Sequence, residues 1–201
     1  MELTGEGLAA RRGLRTIFTD VSFAIRAGDL MTVTGPNGSG KSTLMRIVAG
    51  LMRPLAGAVR LEPVQEHGIG AAIHYLGHLD GLKPDLTVRQ NLDFWRRYHR
   101  GDDPSGAMER MGVTRLADLP VSVLSAGQKR RTALARLLAS PRPVWLLDEP
   151  LTALDAAAEA VLAEILNEHL AGGGLAIAAT HRPLPVEAAT ALAIGPAGAS
   201  A

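Results

Sequence analysis

A glycine-rich run that ends in lysine and a hydroxyl residue is the strongest chemical pattern in the chain. It matches G-x-x-x-x-G-K-[ST] in full and consists of Gly35, Pro36, Asn37, Gly38, Ser39, Gly40, Lys41, Ser42 and Thr43. Glycines let backbone N–H groups turn toward phosphate oxygens, and the start of a following helix adds positive charge. Lys41 supplies a flexible cation for the β- and γ-phosphates, and the Ser42 hydroxyl is suited to ligate Mg²⁺. The pattern predicts a binding loop for ATP and Mg²⁺.

Two adjacent carboxylates follow an apolar run at residues 144–147, which is typical of a strand buried on both faces of a sheet. Alone, Asp148 and Glu149 would more often be a helix cap. Beside a phosphate-binding loop they predict catalysis. Asp148 is placed to hold the Mg²⁺ shell, and Glu149 to orient or deprotonate the attacking water.

A third pattern precedes a helix and consists of Leu124, Ser125, Ala126, Gly127 and Gln128. The Ser-x-x-Gln spacing predicts a capping box. A helix start with a serine hydroxyl and a glycine amide can also bind an anion. Because one chain offers no second nucleotide for it, we expect this segment to face a nucleotide held by another molecule.

The segments around these motifs alternate between strand and helix patterns. Strands are predicted at residues 30–34, 58–61, 69–76, 144–147 and 175–180. After the glycine-rich loop, a helical stripe places Leu44, Ile47, Val48 and Leu51 on one buried face. This alternation predicts an α/β fold with a mostly parallel core sheet flanked by helices.

Capping residues mark three further helices. Thr87 and Gln90 have capping-box spacing, Ser125 and Gln128 repeat it, and Asp155 is suited to cap a helix that ends near Gly172. The region at about 85–120 has no strand pattern, so we expect a helical insertion. The Ala- and Gly-rich residues at about 190–201 predict a loose C-terminal tail within a single domain over residues 1–201.

Composition excludes several classes of protein. The 201 residues carry a net charge of +1, which gives no bulk electrostatic reason to bind nucleic acid. Cysteine is absent, which excludes disulfides and Cys-ligated zinc. No apolar run reaches the length of a membrane span, so we expect no direct insertion into a bilayer.

Taken together, these motifs resemble the ATP-binding domain of ABC transporters: the P-loop (Walker A), the L-S-x-G-Q segment, the Asp-Glu pair and then Thr180-His181 occur in the family's order. The resemblance implies a P-loop NTPase fold with an N-terminal antiparallel β region, and a head-to-tail dimer. In such a dimer residues 124–128 of one subunit close over ATP held by Lys41 of the other. It also implies that Asp155 belongs to a loop crossing between subunits and that His181 contacts the γ-phosphate.

Two positions depart from that family's usual pattern. Where a glutamine usually reaches the Mg²⁺, this chain has His78, whose neutral imidazole could bind metal or water. Where relatives place an aromatic ring against adenine, this chain has Arg11 and Arg12, whose guanidinium planes could stack on a base.

Three features resemble the cytochrome c maturation ATPases (haem exporter protein A, CcmA). They are the sequence of residues 75–87, the alanine at position 126 of the L-S-x-G-Q segment (residues 124–128, called the signature segment), and the short chain. That resemblance implies haem export or release of a haem-loaded chaperone, with integral membrane subunits of the CcmB and CcmC type at the cytoplasmic face of the bacterial inner membrane. An exposed aromatic patch at Phe94, Trp95 and Tyr98 could face such a partner, although Trp95 also fits the insertion's core.

Two other functions remain open from the sequence. One is an ATPase for an exporter of a different cargo, such as a lipoprotein or a small molecule. The other is a non-transport ABC protein of translation or DNA repair, which the absence of basic patches and heptads disfavours.

Overall fold

The strands form one antiparallel and one parallel sheet. The computed structural model describes residues 1–64, 66–99 and 101–195. The strands are β1 (Glu2–Arg12), β2 (Arg15–Arg26), β3 (Leu30–Thr34), β4 (Ala56–Glu62), β5 (Ile73–Leu76), β6 (Val144–Asp148), β7 (Leu175–Ala179) and β8 (Thr190–Ala193). The antiparallel sheet has the order β2-β1-β4 and the parallel sheet the order β5-β6-β7-β3-β8. The predicted α/β class, with its N-terminal antiparallel region, is therefore confirmed.

Helices connect the strands and cover the parallel sheet. They are α1 (Lys41–Val48), α2 (Val88–His99), α3 (Ser105–Arg110), α4 (Ala126–Ala139) and α5 (Ala156–Ala171), with short 3₁₀ turns at Ile69–Ala72, Thr114–Leu116 and Val121–Val123. Between residues 85 and 120, excluding Arg100, the structure has helices and turns, and its one β contact is an isolated bridge between Thr87 and Pro120. The helical insertion predicted there is present.

Side chains of the parallel sheet alternate between two cores. From β6, Trp145 and Leu147 pack toward α2, α4 and α5, whereas Val144 and Leu146 pack toward α1 and the antiparallel sheet. A strand covered on both faces must be apolar throughout, which explains the uninterrupted run in its sequence. The two cores hold β6 firmly, and with it the carboxylates at its end.

The parallel sheet also sets where the chemical groups meet. Since parallel strands end at the same edge, the segments that follow β3, β5, β6 and β7 converge there. These segments carry the glycine-rich loop, His78, Glu149 and His181 respectively. Residues far apart in sequence thus come to one crevice.

Three sequence predictions about elements need correction. Residues 69–72 form a 3₁₀ turn and only Ile73–Leu76 is a strand, because Gly68 and Gly70 interrupt the extended run. Leu51 is 67% exposed, because α1 ends at Val48 before the predicted stripe is complete. The tail cannot begin at 190, because Thr190–Ala193 pairs with β3; residues 196–201 lie outside the described part.

Within the described residues, none of the helices combines the length and the apolar character that crossing a bilayer would require.

Candidate active site

The glycine-rich loop is shaped by contacts that exclude side chains. Gly35 has φ +146°, and a Cβ there would lie 2.3 Å from the carbonyl oxygen of Ile194 and 2.8 Å from Ser39 Oγ. Gly40 has φ +106°, and its Cβ would lie 2.4 Å from Ile17 Cγ2. Both positions therefore require glycine for steric as well as conformational reasons. The loop then enters α1 at Lys41, with the helix start at the loop.

Lys41 is held inside the loop that it follows. Its Nζ donates to the carbonyl oxygens of Gly35 at 2.8 Å and Pro36 at 3.2 Å, and the residue is 8% exposed. A lysine ammonium is a compact cation with three donors, so the charge is already located where phosphate oxygens would arrive. Ser39 is likewise buried, and its Oγ has no hydrogen-bond partner among the residues that the structure describes.

A cavity of about 460 Å³ opens over this loop. Its walls are Arg12, Arg15, Ile17, Asn37, Gly38, Gly40, Lys41, Ser42, Thr43, His78, Asp148 and Glu149. The structure thus brings the predicted phosphate loop, both predicted carboxylates and His78 to one cavity. Gly35 instead lines a neighbouring cavity with His181, and Ser39 lies beneath the loop.

The two carboxylates at the end of β6 have different surroundings. Asp148 is 2% exposed, and the hydroxyl of Tyr75 lies 3.5 Å from its Oδ2. Burial, with a smaller contribution from Asp148, raises the pKa of the Tyr75 hydroxyl. Glu149 leaves the strand with φ +51°, while its N–H donates to the carbonyl of Ala179 at 2.8 Å. This turn directs the Glu149 side chain to the cavity.

His181 contacts the predicted catalytic base directly. Its Nδ1 lies 2.7 Å from Glu149 Oε2, and because an ionised carboxylate only accepts, Nδ1 is the donor. The histidine side chain is 62% exposed, whereas that of Glu149 is 19% exposed. The pair can fix the orientation of the glutamate while leaving the imidazole open to the solvent side of the site.

The signature segment, residues 124–128, forms a capping box away from the cavity over the glycine-rich loop. The Ser125 N–H donates to Gln128 Oε1 at 2.9 Å, and the Gln128 N–H donates to Ser125 Oγ at 3.2 Å. Within the described chain, residues 124–128 do not line the cavity over the loop. Asp155 likewise caps α5, accepting from the Ala158 N–H at 2.9 Å. Their roles across a dimer stay predictions.

The structure separates the two arginines that were predicted to contact adenine. Arg12 lines the cavity, but Arg11 does not. Arg15 and Ile17, which the sequence analysis missed, line it as well. The signal was the hairpin itself: Arg12 pairs with Arg15 across the turn at Gly13, so both arginines sit at its tip.

The cavity also offers ligands of the type that Mg²⁺ uses. Ser42 and Asp148 both line it and supply hard oxygen donors. Over residues 1–64, 66–99 and 101–195, no cluster of three or more His, Cys, Asp or Glu side chains could hold a metal ion by protein ligands alone. Such a donor set fits Mg²⁺, which keeps several waters and takes further oxygens from substrate phosphates.

The sequence of the chain matches a known protein family and named relatives. The family model for the ABC transporter matches residues 18–152. The cytochrome c biogenesis ATP-binding export protein CcmA of Chelativorans sp. (strain BNC1) is 50% identical, over 97% of this chain and 98% of that protein.

Solved structures share the fold. An ABC transporter ATP-binding protein of Pyrococcus furiosus superposes with a TM-score of 0.83 at 21% identity, covering 96% of this chain and 98% of that one. A dimeric ATP-binding cassette in a post-hydrolysis state, bound to ADP and Pi, gives a TM-score of 0.76 at 23% identity, covering 90% and 88%.

The fold and the site define a nucleotide-binding ATPase of the ABC transporter family, to which the chain belongs. The similarity to the CcmA protein of Chelativorans sp. extends over nearly the full length of both proteins, so it identifies the family more specifically than any one motif does. Within that family, the chain belongs to the cytochrome c biogenesis ATP-binding export proteins of the CcmA type. Both resemblances drawn from the sequence are confirmed.

Proposed function

We propose that this chain is the ATP-hydrolysing subunit of a membrane ABC complex that serves cytochrome c maturation, by haem export or by release of a haem-loaded chaperone. The hydrogen bond of 2.7 Å between His181 and Glu149, beside the phosphate loop, is the observation that carries the hydrolytic part. The biological part is supported by the 50% identity to a CcmA protein.

Binding of ATP is assigned to two walls of the cavity. Backbone N–H groups within residues 37–43 surround the β- and γ-phosphates, and Lys41 transfers its hydrogen bonds from loop carbonyls to phosphate oxygens. Arg12 and Arg15 lie at the hairpin tip, where a guanidinium plane can stack on adenine. The phosphates are thus held by elements rigidly joined to β3.

Hydrolysis is assigned to Glu149 and His181. Glu149 accepts a proton from a water as the water oxygen bonds to the γ-phosphorus and the bond to the ADP oxygen breaks. His181, by donating to Glu149, fixes the carboxylate while its exposed ring remains available to the γ-phosphate. Ser42 and Asp148, with His78 as a third ligand, are proposed to hold Mg²⁺, which would neutralise charge on the phosphates.

A second copy of the chain is proposed to complete the site. Ser125 and Gly127 start α4 with an anion-binding helix end but lie outside their own chain's cavity. A head-to-tail dimer would place residues 124–128 over the partner's nucleotide and bring Asp155 to the interface. The dimeric state named for one solved relative supports this arrangement.

Membrane subunits of the CcmB and CcmC type are proposed to dock on the helical insertion, at the cytoplasmic face of the inner membrane. A groove of about 400 Å³ opens there, and several large apolar side chains beside it are exposed. They include Leu51, Leu79 and Tyr98, at 67%, 85% and 70%. Phe94 is 44% exposed, while the half-buried Trp95 packs against Arg136 and His99, so the aromatic patch is only partly exposed.

Replacing the proposed base tests the chemistry. We expect Glu149→Gln to keep ATP binding and to lower turnover at least about 100-fold, since a positioned base contributes on the order of 10²–10⁴ in rate. Phosphate release and binding of a fluorescent ATP analogue measure the two effects. Glu159→Gln, a matched change in α5, should leave both unchanged. Turnover near normal in Glu149→Gln would remove Glu149 from this role.

Deleting the gene tests the biological part. We expect cells without it to lose covalently assembled c-type cytochromes, seen by haem staining and spectra. The unsubstituted gene should restore them, and Glu149→Gln should not. Intact c-type cytochromes in the deletion strain would instead support an exporter of another cargo.

A further inference from the structure

The guanidinium of Arg130 has a hydrogen-bond acceptor for every one of its donors. Arg130 lies in the second turn of α4, just after the signature segment, and is 4% exposed. Its five N–H groups match five acceptors, which is the full donor capacity of an arginine. These acceptors are the carbonyl oxygens of Glu149 (2.7 Å), Asp148 (2.9 Å), Gly77 (3.1 Å) and Pro150 (3.3 Å), and Asp80 Oδ1 (2.8 Å).

Two of the segments that Arg130 joins carry proposed reacting groups. Three of its bonds reach consecutive backbone carbonyls at the end of β6, where Glu149 turns into the cavity with a left-handed backbone. Two reach the segment after β5, one of them to Gly77, directly before His78. The same side chain therefore fixes the backbone of two segments, after the neighbouring strands β5 and β6, that both line the cavity.

Arg130 also connects this backbone to the helix that presents the signature. Four residues separate Ser125 from Arg130, and both lie within the first turns of one continuous helix with an intact capping box. A shift of α4 along its axis would therefore pull on the carbonyls of Asp148 and Glu149. The ion pair with Asp80, whose side chain is 22% exposed, holds the fork in one orientation.

We propose that Arg130 is a positioning residue that aligns Glu149 and the His78 segment and transmits the placement of α4 to them. This inference rests on the proposed ATP hydrolysis. Arg130 is not among the described residues that line the cavity over the P-loop, so its effect should fall on turnover and not on ATP binding. A lysine, with three donors on a single nitrogen, can replace part of the network but not its fork.

Comparison of Arg130→Met and Arg130→Lys with the unsubstituted protein tests this role. We expect kcat to fall at least about tenfold in Arg130→Met and by less in Arg130→Lys, while KM and the affinity for a fluorescent ATP analogue stay within about twofold. Hydrogen exchange should rise together in the segments 77–80 and 148–150. Asp80→Asn, which keeps an oxygen acceptor, should give a smaller fall in kcat.

Arg136→Met is the matched control, because Arg136 is equally buried on α4 but bonds the carbonyl of Tyr75 and packs on Trp95. It should lower the melting temperature without changing kcat of the folded protein by more than about twofold. An equal loss of kcat in Arg130→Met and Arg136→Met would overturn the positioning role. So would an effect of Arg130→Met that is larger on KM than on kcat. If Arg130→Met does not fold, Arg130→Lys and Asp80→Asn decide by the same criterion.

Failure of this inference is distinct from failure of the proposed function. If the unsubstituted protein hydrolyses ATP and the Arg130 variants match it, only the positioning role is wrong. If the unsubstituted protein binds but does not hydrolyse ATP, the proposed function is wrong. Exchange that stays low at 77–80 and 148–150 in the variants contradicts the positioning role in either case.

Discussion

Glu149 carries its carboxylate on a backbone that most side chains avoid. Its φ of +51° costs on the order of 1–3 kcal/mol for a residue that is not glycine. Two hydrogen bonds hold it in that conformation: the Glu149 N–H donates to the carbonyl of Ala179, and the Glu149 carbonyl accepts from Arg130. Strain of this kind persists only where surrounding contacts determine it, and here it directs a carboxylate toward a phosphate loop.

Individual residues of the site differ in how visible they are in the sequence. The P-loop is contiguous, so its pattern can be read directly, although the tightest contacts that require glycine at Gly35 and Gly40 come from Ile194 and Ile17. Arg15 and Ile17 could not be read in this way. They reach the cavity through the pairing of β1 with β2, and that register shifts at several irregular positions. The register of a hairpin with such shifts, unlike a contiguous loop motif, cannot be counted off from the sequence.

His74 in β5 predicts a loss of stability in acid. The pKa of His74 is lowered to about 3, mainly by burial; the bond to the Ser140 carbonyl opposes this shift, and the charges of Arg136, His99 and Arg142 add to it. Between that value and the unfolded pKa of about 6.5, the unfolded chain binds more protons, so stability is complete above about 6.5 and falls as the pH drops. At pH 5 the loss from His74 should be about 2 kcal/mol.

Urea denaturation at pH 5, 6, 7 and 8 measures this loss. His74→Gln should flatten the dependence, whatever its effect at pH 8, because a neutral amide takes up no proton. Some slope should remain, because burial also lowers the pKa of His99 to about 4 and that of His169. His67→Gln, at an exposed position, is the control and should keep the full slope. An unchanged slope in His74→Gln would contradict the assignment.

At the scale of elements, the helix starts were predicted best, because the residues that cap a helix lie close to each other in the sequence. The boxes at Thr87 and Ser125 and the cap at Asp155 all form as expected, because donor and acceptor lie three residues apart. β8 was missed, since a four-residue Ala- and Thr-containing strand gains its stability from pairing with β3. The 3₁₀ turn at Ile69–Ala72 was missed because two glycines outweigh the apolar pattern.

The two capping boxes allow a matched test of the signature. In both, the N-cap N–H bond is 2.9 Å and the return bond is 3.2 Å, so Thr87→Ala and Ser125→Ala should each cost about 1 kcal/mol of stability. Only Ser125→Ala should lower ATP turnover, by at least about tenfold, because its hydroxyl is proposed to face the partner's nucleotide. Phosphate release and thermal denaturation measure the two effects. Equal turnover in both variants would restrict Ser125 to capping.

At the scale of the whole molecule, the proposed dimer would make each chain contribute to two different sites. The cavity over the P-loop has Lys41, Asp148 and Glu149, and the start of α4 lies elsewhere on the same chain. In a two-fold dimer every contact across the single interface occurs twice, so that interface would complete two equivalent sites. In such a dimer, the two halves of any one site come from different copies.

Mixing two inactive variants tests that arrangement. Lys41→Ala damages the P-loop half, and Ser125→Ala damages the signature half. In a mixed dimer, one site combines both defects, and the other combines the intact P-loop of one copy with the intact signature of the other. For independent sites and random pairing, an equal mixture should recover about one quarter of normal ATP turnover. A mixture no more active than the average of the separate variants would show that each chain completes its own site or that both sites must be intact. Repeating the mixture with Lys41→Ala and the double variant Lys41→Ala/Ser125→Ala, which cannot form an intact site, should give no recovery.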